Sequence, residues 1–227
     1  MNKVENMLKT SALKAESTRK EYRVHGTDIF IKDPLPEHID IRKVIRQLEF
    51  ILPVALFQNV DVVYVGQFDE FVERNINAFY SDGALYITND QTDHNDMVDD
   101  FVHEVAHAVE DLYGGRIYSD GSINHEFVSR RELLKNILIS KDYDVSDYDF
   151  SNPEYSRKLD EFLYMEVGYE KLNHLIKGLF VSPYAVTSLR EYFATAFEEY
   201  FLGDRRYLSH VSSRLFNKIS DLVEIGD

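Results

Sequence analysis

The chain of 227 residues contains no cysteine. Disulfides and thiolate ligands are thereby excluded, so a bound transition metal must be held by imidazole and carboxylate. That donor set suits a catalytic site, because structural zinc sites are closed mostly by sulfur. Long apolar runs are missing as well. No stretch approaches the ~20 consecutive apolar residues that a membrane span needs. The segment Met1 to Tyr22 is polar and charged and lacks the apolar stretch of a secretory signal. We therefore expect a cytoplasmic protein, or one delivered or carried with a particle by a non-classical route. Positive charge is scarce: 25 Lys and Arg stand against 40 Asp and Glu, a formal charge of -15. No basic patch of the size needed to neutralise phosphates is visible, which argues against nucleic acid as a partner. Internal repeats and low-complexity tracts are also lacking.

What remains is enough for a sizeable core, with a hydrophobic fraction of 44%, 15 Tyr and 15 Phe. The length suits one large domain or two lobes around a cleft. The pattern predicts a polar, partly helical arm over 1–21 and a single domain over 22–227, with a sheet lobe at about 22–94 and a helical lobe after it. In the sheet lobe we expect a strand over 22–32, stopped by Pro34 and Pro36. A helix over 39–52 ends before Pro53, and Val60 to Val65 reads as a strong strand. Asn77 to Tyr80 and Ala84 to Thr88 read as a hairpin about Ser81-Asp82-Gly83. Helices are expected over 95–113, 123–140, 153–179, 187–202 and 206–223. Strands with one helix, followed by helices, imply an α+β architecture with a cleft between the lobes. The strand Ala84 to Ile87 precedes the helix over 95–113. As an edge strand it would pair with an extended peptide; as an interior strand it would be ordinary sheet.

The helix over 95–113 carries His103-Glu104-Val105-Ala106-His107. Histidines four apart project from one helical face, so both rings can reach one metal ion. The glutamate between them can hold a water bound to that ion, an arrangement that suits peptide-bond hydrolysis. Three fixed positions arise by chance in chains of this size, so context matters. Val98, Phe101, Val102, Val105, Val109 and Leu112 recur at steps of three and four, a core-facing stripe. Asn95 and Asp96 offer an N-cap, and Gly114-Gly115 offers a stop.

Asp90, Asp93, Asp96, Asp99 and Asp100 crowd the approach to this helix. They suit a solvated helix N-terminus favoured by the dipole, and equally an acidic rim that attracts cationic peptides. Their spacing does not match an EF-hand calcium loop. Asp99 lies one turn before His103 and Asp111 one turn after His107, so each is a candidate to accept a ring N–H and orient a ligand. With the helix ending near 113, Glu110 and Asp111 would sit where the dipole disfavours acids, which hints at a use for them.

A single helix supplies two ligands, and two acids compete for the third place. Glu126 lies 19 residues after His107, a spacing that places a glutamate on the following helix. Glu191 opens a later helix with the apolar stripe Leu189, Tyr192, Phe193, Ala196, Phe197 and Tyr200, where small Ala194 and Ala196 permit close approach to a neighbour. Ser188-Leu-Arg-Glu191 also reads as a capping box, in which the glutamate bonds only its own helix start. The residues alone leave these readings open.

Together, His103 to Gly114 and Tyr184 to Phe201 resemble the anthrax lethal factor-like peptidases and the related Pro-Pro endopeptidases. In that family the second segment reads Tyr, six residues, Glu, then aromatic residues and Ala. Tyr184, Glu191, Tyr192-Phe193-Ala194 and Ala196-Phe197 match it. Tyr207 to Val223 is similar to the family's last helix, so the likeness runs from about 95 to the end with a loose middle. Two departures stand out: a longer gap between the segments, implying an insertion near 120–175, and no secretion signal. The resemblance implies a zincin-like fold and a zinc-dependent endopeptidase acting on a peptide or protein. It implies that one catalytic Zn2+ is held by His103, His107 and Glu191. Glu104 would be the general base, and Tyr184 would donate to the tetrahedral oxyanion, as a neutral phenol can. The competing expectation is a protein of this fold that works by binding alone, and peptide cleavage by wild type against Glu104→Gln separates the two.

Overall fold

The strands lie between Tyr22 and Thr88 and are rich in β-branched and aromatic residues, which favour the extended chain. The structure, a computed structural model, describes residues 22–74 and 76–225; the expected arm over 1–21 lies outside them. Five strands make one mixed sheet in the order β1-β2-β3-β5-β4. β1 (Tyr22–Val24) and β2 (Thr27–Ile31) are antiparallel. β3 (Val62–Gly66) runs parallel to both β2 and β5 (Ala84–Thr88), and β4 (Ala78–Ser81) is antiparallel to β5.

Two sequence expectations change here. The strand expected over 22–32 is a hairpin, because His25 and Gly26 both adopt positive φ (51° and 90°) and reverse the chain in a two-residue turn. The same device at Asp82 (φ 47°) and Gly83 (φ 82°) makes the β4–β5 hairpin that Ser-Asp-Gly announced. The edge reading of Ala84 to Ile87 does not hold: β3 and β4 take the hydrogen-bonding groups on both sides of β5, and β4 is the margin.

The sheet has two unlike faces. Val63, Val65, Leu85 and Ile87 point inward and are buried. Phe30, Tyr64, Tyr86 and Phe79 stack in a row across the other face. Against the inner face pack α1 (Ile41–Ile51), capped by Asp40, and α3 (His94–Tyr118). A short α2 (Asp69–Arg74) connects β3 to β4.

α3 is longer than expected at both ends. Its N-cap is Asp93, whose carboxylate accepts from the N–H groups of Asn95 (2.6 Å) and Asp96 (3.1 Å), and not Asn95 or Asp96 themselves. Gly114 and Gly115 do not stop it. Buried Ile117, the Tyr118 ring against that of Phe193 (6.5 Å) and the bond from Lys218 Nζ to Arg116 O (2.9 Å) hold the last turn against the body of the protein. Such tertiary contacts outweigh the ~1 kcal/mol that each interior glycine costs relative to alanine. Leu112, expected in the buried stripe, is exposed; the other five members are buried.

The rest is helical. α4 (Ser122–Ile139) follows a turn through Gly121. The single helix expected over 153–179 is broken: α5 (Arg157–Glu161) runs into a π-helical stretch (Phe162–Val167), Gly168 turns the chain at φ 80°, and α6 (Tyr169–Leu175) follows. α7 (Leu189–Phe201) starts at Ser188, whose Oγ accepts from Glu191 N–H at 3.1 Å. The helix expected over 206–223 is two, α8 (Arg205–Val211) and α9 (Ser213–Ile225). Ser212 sits between them in extended conformation, and its Oγ caps Leu215 N–H (3.1 Å). α7 packs along α3, with α9 behind it. Among the described residues, no helix is long and apolar enough to cross a membrane.

A Cβ at Gly115 would meet nothing within 4 Å, and its φ is not positive. Gly115→Ala should therefore raise stability by about 0.5–1 kcal/mol, read as a higher urea midpoint at unchanged slope. Leu85→Ala, which empties a fully buried position on β5, should lower it by about 2–5 kcal/mol in the same assay.

Candidate metal centre

α3 and α7 pack along each other, and the alanines on them, Ala106 and Ala108 on one and Ala194 and Ala196 on the other, are all fully buried. This close approach brings His103, His107 and Glu191 together, with one ligand-capable atom from each lying within 4.8 Å of the others. The Glu191 carboxylate spans the two rings: Oε2 lies 3.0 Å from His103 Nε2, and Oε1 lies 3.6 Å from His107 Nε2. Metal–ligand bonds of about 2.0–2.2 Å in a tetrahedron set ligand–ligand distances near 3.3–3.6 Å; the observed 3.0 and 3.6 Å, measured to different oxygens of the carboxylate, lie near that range.

Two further observations bear on whether these residues fit a metal. Glu191 Oε2 is buried and has no hydrogen-bond partner, although His103 Nε2 is at hydrogen-bond distance. The two atoms are close without pointing at each other, as donors that face a common point would be. The outer nitrogens are each held by another carboxylate. His103 Nδ1 meets Glu198 Oε1 at 2.5 Å, and His107 Nδ1 meets Glu110 Oε2 at 3.3 Å. A ring that donates Nδ1–H outward leaves the Nε2 lone pair facing inward, the tautomer a metal requires.

The electrostatics follow from burial. Desolvation opposes charge on His103, but the Glu191 and Glu198 carboxylates more than reverse it and hold its pKa well above the ordinary value. For His107, desolvation is likewise overcome by Glu110 and Glu191, and its pKa rises to about 8. Burial alone would raise Glu191, yet the two imidazoles bring it to about 2. With no metal between them, these shifts favour protonated imidazoles beside an ionised Glu191 carboxylate. Glu104 is nearly fully buried beside this group. Burial raises its pKa against the lowering effect of the imidazoles, and its Oε2 also has no hydrogen-bond partner. The Tyr184 ring lies 6.0 Å from the His103 ring, and burial followed by Glu191 raises the phenol's pKa, so it stays a neutral donor.

The other candidates are placed elsewhere. Glu126 accepts from Tyr192 Oη (2.7 Å) and Ser212 Oγ and pairs with Arg130 and Arg214, so it braces helices and joins no ligand group. Glu191 makes only half of a capping box: its N–H bonds Ser188, but its carboxylate faces the imidazoles. Asp99 does not orient a ligand. His103 Nδ1 has turned toward α7 and Glu198, while burial and then the Glu198 charge push the Asp99 carboxyl up to about 6. Asp111 is occupied by Tyr80 Oη and Asn59 Nδ2, both at 3.0 Å, and ties β4 to α3. Glu110 takes the orienting role instead, itself gripped by Arg190 Nε (2.9 Å) and Tyr118 Oη. Because α3 continues to Tyr118, Glu110 and Asp111 are mid-helix and do not face its C-terminal dipole. The signals that could have found the actual partners are simple: Glu110 is i+3 from His107, and Glu198 is i+7 from Glu191, two turns along the same face. Comparison with protein-family models, curated proteins and solved structures finds no match to this chain.

Stripped of metal, the protein should be more stable at pH 6 than at pH 8.5. A histidine whose folded pKa is raised contributes stability that is complete below its unfolded value and disappears as pH passes the folded one. For His107 that window runs from 6.5 to about 8, and the loss should be on the order of 1–2 kcal/mol. Urea unfolding of chelator-treated protein across this range is the check; stability that rises from pH 6.5 to 8 would contradict the protonated imidazole–carboxylate arrangement.

Proposed function

We propose that the chain is a zinc-dependent endopeptidase of the zincin type, with His103, His107 and Glu191 as metal ligands. The observation that carries this reading is the orientation of the two imidazoles. Each turns Nε2 toward one carboxylate from a distant helix and has Nδ1 held by an acid of its own. A structural ion pair needs only one nitrogen of each ring, so the doubled arrangement favours metal ligation. Two histidines, one glutamate and no sulfur suit catalytic zinc with a free fourth position. Bound there, zinc would polarise the scissile carbonyl and acidify the attacking water.

The chain's own residues supply the remaining chemistry. Glu104, with its raised carboxyl pKa and partnerless oxygen, takes the proton of the attacking water and passes it to the leaving nitrogen. Tyr184 keeps its proton and donates a hydrogen bond to the oxygen on which charge develops. Glu198 and Glu110 keep the imidazoles in one tautomer and orientation. The crowd of acids before His103, including Asp93, Asp96 and Asp99, favours a cationic peptide as substrate.

Wild-type protein loaded with zinc should cleave members of a broad peptide library, and chelation followed by zinc addition should abolish and restore the cleavage. Glu104→Gln should bind the same amount of zinc and lose about 10²–10⁴-fold in kcat. Tyr184→Phe should lose about 10²-fold in kcat with little change in KM. Equal cleavage by wild type and Glu104→Gln would sink the proposal. Zinc binding with no cleavage by either would favour a protein that only binds its partner.

A further inference from the structure

Arg131, on α4, is the largest fully buried side chain among the described residues. Its guanidinium lies over the rings of Phe127 (5.2 Å) and Phe150 (5.9 Å). It meets backbone carbonyls: Nη1 donates to Asn152 O at 2.6 Å and Nη2 to Asp149 O at 3.1 Å, while Nε is buried without a partner. Burial lowers its pKa only to about 10, so it remains charged at neutral pH. A charge held this way is a poor means of filling space, since an apolar side chain of similar volume does so at least as well. What the fork does achieve is to fix the backbone of 149–152.

The next residue shows what that achieves. Pro153 O accepts the N–H of Leu189 at 2.8 Å, and Leu189 is the first residue of α7. Helix starts leave such N–H groups without intrahelical partners, so this bond, beside the Ser188 cap, ties the first residue of α7 to the 149–153 backbone. Glu191 follows two residues later. On its other side, Tyr192 packs on the Phe127 ring (5.4 Å) and donates to Glu126 (2.7 Å), both on α4. α4 thus grips α7 on both flanks of Glu191, directly at Tyr192 and through the 149–153 backbone at Leu189.

We infer that Arg131 is a positioning residue for Glu191: by clamping the carbonyls of Asp149 and Asn152 it sets Pro153 O, which fixes the first turn of α7 and the reach of its carboxylate toward His103 and His107. The inference rests on the metal-centre reading above. A carboxylate ligand must be placed to a fraction of an ångström, and outer supports of ligands typically change metal affinity by about 10–100-fold when removed.

Two variants cut the chain of contacts at different links. Arg131→Met keeps the volume and removes both donors. Leu189→Pro removes the N–H that Pro153 O accepts, at the first helical position, which tolerates proline well; the extended backbone of Ser188 (φ -155°, ψ 167°) suits a following proline. Zinc affinity is measured by chelator competition, and the coordination is read from the visible spectrum of Co2+. Each variant should bind zinc about tenfold more weakly with an altered Co2+ spectrum, and the double variant should be no weaker than the worse single one, because both cut one path. Arg131→Lys, which keeps the charge but lacks the fork, should fall between. A folded Arg131→Met with wild-type affinity and an unchanged Co2+ spectrum overturns the inference. If Arg131→Met does not fold, wild-type affinity in Leu189→Pro overturns it. Wild-type protein that binds neither ion overturns the metal centre itself, a result seen before any variant is compared.

Discussion

The close packing of α3 against α7 is the constraint on which the remainder of the molecule depends. It brings together two helices whose key residues lie more than eighty positions apart in sequence. Only then can the carboxylate of Glu191 span the rings of His103 and His107, and only then can Glu198, two turns further along, reach the far side of His103. Apolar burial, at roughly 25 cal/mol per Å², supplies the driving force for that contact. The polar group at its centre is carried by the packing and does not create it.

That polar group is a liability taken alone. Glu104, Glu110 and His107 are buried, and His103 and Glu191 beside them are mostly so. Each would be unfavourable there without the others, because desolvation opposes every charge in the set. The fold compensates by pairing: carboxylate with imidazole, then Glu110 with Arg190 and Tyr118. Two oxygens stay without partners, on Glu104 and Glu191. Buried polar atoms are seldom left so, and these two lie beside the group of residues that could hold an ion.

The sheet and the helical lobe contribute differently. Asp111 fastens α3 to β4 through Tyr80, and Asn59 bonds the same carboxylate, so the helix is registered against the sheet lobe. α4 and the 149–153 backbone register α7 from the opposite side. Each helix bearing the candidate ligands is thus aligned by an element outside the group. The residues between α4 and α7, an interruption on first reading, include the contact that ties down the first residue of α7.

Much of this was legible in the residues themselves. The step of three and four in Val98, Phe101, Val102, Val105 and Val109 located α3 and its buried face, and Asp82-Gly83 located the β4–β5 turn, because periodicity and positive-φ chemistry are local properties. His103 and His107 share a helical face for the same reason. Other features needed the folded chain. Whether Glu126 or Glu191 met the imidazoles turned on which helix approached α3, a matter of packing over long sequence separation. The orienting acids proved to be Glu110 and Glu198, while Asp111 was claimed by Tyr80 and Asn59 from the sheet lobe. The breaks at Gly168 and Ser212, and the continuation of α3 through two glycines, were likewise settled by neighbours. Spacing along the chain determined which groups could point the same way; the packing of side chains from remote segments decided which of them met, because a hydrogen bond or ligand contact depends on distances that no short stretch of sequence contains.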